Sequence, residues 1–120
     1  MIEVMAESQG NIIGVKIRGK LTTQEYEEIW MPKVEGVIQA HGKIRCYCLI
    51  EDDFQGAEAG AIWDDTKFGL KHRRDFEKVA MVGGKKWMEW LMKIFGPLVS
   101  GEIKSFRREQ DQKAWDWIKS

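Results

Sequence analysis

A chain of 120 residues is long enough to bury one core without metal or disulfide support, and one domain spanning 1–120 is expected. Lys+Arg and Asp+Glu are both 19, so a formal net charge of zero excludes a general attraction to nucleic acid and leaves any electrostatic partner to a local patch. Four of the six tryptophans fall after residue 86, which loads the last third with rings suited to interfaces as well as cores.

Residues 2–6 and 12–19 alternate like strands, and Gly10-Asn11 between them suits a tight reversal, so the chain opens on a hairpin. Residues 1–7 have neither a positive n-region nor a long apolar run, so no signal peptide is expected. No segment approaches the roughly 20 apolar residues of a membrane span. The expected location is cytoplasmic, with any bilayer met peripherally, from the side.

Thr22 with Glu25 three residues on reads as a capping box, and Tyr26, Ile29, Trp30, Val34, Val37 and Ile38 then recur at helical spacing up to His41-Gly42. Pro32 interrupts this helix, since proline lacks a backbone donor and clashes one turn back, so a kink or break is expected near Trp30-Met31. Residues 43–50 are apolar on both alternating faces after the first turn and stop at Glu51-Asp52-Asp53, the pattern of a central strand. Cys46 and Cys48 lie two apart in that strand, on one face, which argues against a mutual disulfide and for buried reduced thiols.

Residues 54–74 read as a helix weakened by Gly56, Gly60 and Gly69, and therefore as the least rigid one. A fourth strand follows at 78–82. The next helix, over residues 83–95, opens on Gly83-Gly84-Lys85-Lys86 and carries Trp87, Met88, Trp90, Leu91, Met92, Ile94 and Phe95 over an arc of roughly 200°, where one core-facing stripe needs about 100°. The excess surface implies a second partner: a membrane, an apolar ligand or another subunit. Residues 102–107 form a short charged edge strand, and a closing helix from about 111 offers Ala114, Trp115 and Ile118 to the core with Trp117 to the side. The order is an α/β domain with a mixed sheet of about five strands and about four helices.

The hairpin over 2–19, the capped helix from Thr22, the strand ending in acids at 43–50, the strand at 78–82 and the Gly83-Gly84-Lys85-Lys86-Trp87 helix start together resemble the SpoIIAA-like family, relatives of STAS and CRAL-TRIO domains. The resemblance covers nearly the whole chain. It implies an α/β domain with helices against one sheet face that can part to admit an apolar ligand or dock on a membrane. In anti-sigma-factor antagonists of this kind, a phosphorylated serine sits after the central strand at the start of the next helix. Here that region reads Asp52-Asp53-Phe54-Gln55-Gly56-Ala57-Glu58, with no Ser or Thr, so the phosphoswitch carries over to no residue. Acids at a strand end before a helix are also ordinary capping and dipole choices.

No residue cluster dictates a reaction. Glu51-Asp52-Asp53 and Asp64-Asp65 lack an accompanying phosphate loop for Mg²⁺ and read as solvent-facing pairs, and neither His41 nor His72 has a Ser or Cys arranged for nucleophilic work. The expectation is a non-enzymatic domain, without cofactor or metal, that binds an apolar small molecule or lipid. Trp63, Phe68, Trp87, Trp90, Leu91, Ile94 and Phe95 would line the pocket or dock on a membrane, and Gly84, Lys85 and Lys86 would meet an anionic headgroup, with the cluster Lys71-His72-Arg73-Arg74 as a further basic patch. The alternative is a STAS-type protein-interaction and regulatory module that uses the same apolar face as a homodimer or partner seam.

Overall fold

The computed structural model describes residues 1–83 and 101–120. β1 (Ile2–Val4) and β2 (Ile12–Ile17) form the expected antiparallel hairpin, with Ile2 opposite Ile17 and Val4 opposite Val15. A two-residue strand, β3 (Lys20–Leu21), leads into the capping box: Thr22 Oγ1 accepts the Glu25 N–H at 3.1 Å and the Glu25 carboxylate accepts the Thr22 N–H at 3.3 Å. The helix then runs as α1 (Thr23–Glu25), a π turn (Tyr26–Trp30) and α2 (Met31–His41) without a break.

The π turn is where the expected kink resolves. Pro32 has no N–H to give the carbonyl four residues back, and its ring crowds that carbonyl. Widening the preceding turn by one residue, so that the Met31 N–H bonds the Tyr26 carbonyl, lets the helix continue. The widening also places Tyr26 and Trp30 together on the buried side.

β4 (Ile44–Ile50) is the central strand, parallel to β2 on one side and to β6 (Phe76–Gly83) on the other. β7 (Glu102–Phe106) adds to β6 in parallel, and the main sheet runs β1-β2-β4-β6-β7. After β4 the chain departs from the sequence expectation. Gly56 does not weaken a helix; with Ala57 it forms β5 (Gly56–Ala57), paired in parallel with β3, and α3 spans only Ala59–Lys71. Counting the run Thr23–His41 as one, the described residues hold three helices where about four were expected, and the expected helix over 83–95 falls almost wholly outside them.

Nor is Gly60 a place of weakness. A Cβ there would lie 2.5 Å from Thr23 Oγ1, so its absence lets α3 lie close against α1. Gly60→Ala should therefore destabilise the protein by about 1–3 kcal/mol in chemical denaturation, even though alanine favours an isolated helix by up to about 1 kcal/mol. A stabilising result would show that the two helices separate easily.

The pleat divides the core in two. Ile13, Val15, Cys46, Cys48, Ile50 and Met81 face the helices Thr23–His41 and α3. Tyr47, Leu49, Ala80 and Val82 face the closing helix, α4 (Asp111–Lys119), which buries Ala114, Trp115 and Ile118 as expected. Trp117 lies to the side, half-buried, its ring centroid 6.0 Å from Phe106, with Lys78 and Lys104 each 5.1 Å from its ring. Arg45 ties sheet to helix, bonding Glu77 at 2.5 Å and the Ile118 carbonyl at 2.7 Å.

Candidate functional site

Between the sheet and the helices that cover its first face lies a cavity of about 130 Å³. Its floor is β-sheet: Val15 from β2, Cys46 and Cys48 from β4, and Met81 from β6. Tyr26 and Trp30 come from the π turn, four residues apart and so on one side of the helix. From α3 come Ala61, Asp65 and Phe68, at the i, i+4, i+7 spacing of a single helix face. Tyr26 and Phe68 meet edge to face with ring centroids 6.4 Å apart.

One polar pair interrupts this apolar wall. The Tyr26 hydroxyl donates to Asp65 Oδ1. Asp65 is half-buried, and desolvation pushes its carboxyl up to about 7, against a downward pull from the tyrosine bond, because ionising it places a charge beside an apolar lining. The same burial, and the neighbouring Asp65 charge, raise the Tyr26 phenol well above its ordinary value. Cys48 is pushed up to about 12 by burial and Cys46 also rises, so both thiols stay neutral and unreactive at physiological pH, as two free buried cysteines should.

Outside the cavity the acids have structural duties. Glu58 accepts the Thr23 N–H at 2.7 Å, Asp53 accepts the Gly19 N–H at 3.3 Å and Glu51 pairs with Arg108 at 2.7 Å. Helix capping and turn closure thus account for the acidic run after β4. Asp64-Asp65 is not a solvent-facing pair: Asp65 lines the cavity, while half-buried Asp64 sits 4.0 Å from Lys67 and raises the carboxyl of neighbouring Glu27. Among the described residues no group of three or more His, Cys, Asp or Glu is arranged to hold a metal. The basic run at the tail of α3 is partly neutralised locally: Lys71 lies 3.5 Å from Glu35, and His72 Nδ1 lies 2.9 Å from Asp75 with its ring against Phe68.

The residues expected to bind a ligand divide. Phe68 is buried and lines the cavity. Trp63, expected beside it, is 63% exposed and points away, because it sits five positions before Phe68 on α3, about 140° around the helix. Gly84, Lys85, Lys86, Trp87, Trp90, Leu91, Ile94 and Phe95 lie outside the described residues. Among the described residues, no helix is long and apolar enough to cross a membrane. The sequence reading missed Asp65 and Tyr26 as a pair. The signal was present, since Asp65 is a charged residue on the stripe Ala61–Phe68 that otherwise reads as core.

The profile of the family described as SpoIIAA-like matches residues 12–119. A solved structure of an uncharacterized protein with a SpoIIAA-like fold from Shewanella loihica PV-4 is similar at 30% identity and a TM-score of 0.75, covering 98% of this chain and 93% of that one. No curated protein matches the chain.

Proposed function

This chain belongs to the SpoIIAA-like family, and from that premise we propose that it acts as a non-catalytic regulatory module that docks through the outer face of α3. The observation that carries the reading is the exposure of Trp63 (63%) and Leu70 (56%), two turns apart on one side of that helix, with Lys67 Nζ 5.6 Å over the Trp63 ring. α3 is also the helix that follows the central strand, which is where the resemblance to anti-sigma-factor antagonists places their switch. Light scattering on the wild type and on a Trp63→Ser, Leu70→Ser double variant tests the reading. The wild type should associate as its concentration rises and the variant should stay monomeric. If both stay monomeric, the two proteins go to flotation with anionic vesicles, where equal recovery would end the case for α3.

The cavity favours a second reading, a small apolar ligand that biases the same module. At about 130 Å³ it is below the roughly 300–1,000 Å³ of drug-sized pockets and close to the roughly 150 Å³ cavity that admits benzene. A molecule of about benzene's size fits as the helices stand, whereas an acyl chain requires α3 to part from the π turn. Native mass spectrometry checks this reading through a small mass added to the chain and lost on unfolding.

A further inference from the structure

We propose that the cavity between the sheet and α3 selects a compact apolar molecule carrying one hydrogen-bond donor, and that Asp65 receives that donor. The proposal rests on the ligand reading above and adds the chemistry of the ligand's head.

The first support is the composition of the lining. Among its described residues Asp65 is the one carboxyl, and no Lys, Arg or His is present. The second is capacity. Asp65 Oδ1 accepts the Tyr26 hydroxyl, and among the described residues no other donor reaches the carboxyl, so acceptor sites remain toward the cavity it lines. The third is the character of the facing groups. From β4 come the Cys46 and Cys48 thiols, held neutral, and from the π turn comes the Tyr26 phenol. On its own helix the neighbouring Asp64 is absent from the lining and lies 4.0 Å from Lys67.

A ligand carboxylate in this chamber would meet a second acid and no cation, in surroundings where like charges repel strongly. A ligand hydroxyl or ammonium would instead complete the hydrogen bonding of a carboxyl that is costly to leave half-satisfied. The cavity therefore discriminates against fatty-acid-like anions and in favour of small alcohols or amines. The two are told apart by pH. An ammonium needs Asp65 ionised, so its affinity should rise between about pH 6 and pH 8, while an alcohol's should change little.

Protein-observed NMR titration of the full chain with four ligands of one ring size tests the proposal: cyclopentylamine, cyclopentanol, methylcyclopentane and cyclopentanecarboxylate. At about pH 8 the amine or the alcohol should bind about tenfold more tightly than methylcyclopentane, the scale of one charge-assisted hydrogen bond, and the carboxylate should bind most weakly. Asp65→Asn should narrow the gap between amine and carboxylate, and Asp65→Val should bind methylcyclopentane while abolishing the preference, with near-UV circular dichroism confirming that both variants are folded. Equal affinity for all four, or a preference for the carboxylate, overturns the assignment of Asp65 while leaving a ligand cavity in place. Failure of every ligand to bind overturns the cavity reading itself, and this proposal with it.

Discussion

Asp65→Asn should stabilise the protein at about pH 8 by roughly 2–4 kcal/mol, raising the melting temperature on the order of 10 °C, and the gain should shrink to nothing by about pH 4. The sign follows from the direction of the shift. In the unfolded chain the Asp65 carboxyl titrates near its ordinary value of 3.8, whereas burial raises it to about 7 in the folded state. Between those values the folded protein holds the proton more tightly than the unfolded chain does. Asp65 therefore costs nothing below about pH 4, costs progressively more as pH rises through 7, and its full penalty remains above that. Asparagine keeps the shape and an acceptor for the Tyr26 hydroxyl but removes the charge from this half-buried position. The upper end of the range is the full linkage value, and the lower end allows for water reaching the cavity-facing oxygen. Paired thermal melts across pH measure the difference directly. If the two curves coincide at every pH, the Asp65 carboxyl is well hydrated and the low-dielectric chamber argued above does not exist. A wild-type residue that costs stability at neutral pH is the pattern of a group retained for binding, since residues serving a site often trade against stability.

Trp115→Ala should destabilise the protein by about 3–5 kcal/mol, the range for removing a large buried aromatic. The Trp115 ring stacks on Tyr47 with centroids 4.0 Å apart and an interplanar angle of 15°. Its far edge lies where a Cβ on Gly14 would sit, 2.8 Å away, so β2 carries a glycine there to seat the ring. Tyr47 in turn donates its hydroxyl to Asp111 at the start of α4. Removing the ring leaves a void between α4 and the sheet and loosens the whole second face. Because that face lies across the sheet from the cavity, the variant should keep the ligand preference of the wild type while it remains folded. Urea denaturation gives the stability change, and the same NMR titration gives the preference. A loss of less than about 1 kcal/mol would show that α4 is held mainly by Arg45 and the helix ends.

Much of this architecture was legible in the residues. The central strand was visible because, past Arg45, Ile44–Ile50 is apolar on both alternating faces, as suits a strand covered on both sides. The capping box at Thr22 and the apolar triplet Ala114, Trp115 and Ile118 were likewise local patterns that the fold obeys. The short pair β3–β5 was not legible, because Gly56-Ala57 has no strand character of its own and pairs only through being brought beside Lys20-Leu21. The role of Gly60 was misread for the same reason: local propensity counts it as weakness, and only the approach of Thr23 makes it a requirement.

The one-dimensional order of apolar and polar residues was enough to determine the α/β class, the hairpin, the family resemblance and the burial of Cys46 and Cys48 on one face, because periodicity acts along the chain. What the tertiary structure alone decided is the site. Asp65 and Tyr26 stand 39 positions apart, and no pattern in either segment says that they share a hydrogen bond. The pairing arises because a proline widens one helix into a π turn while a glycine lets another lie against it, and together they turn two ordinary helical residues onto the same apolar wall.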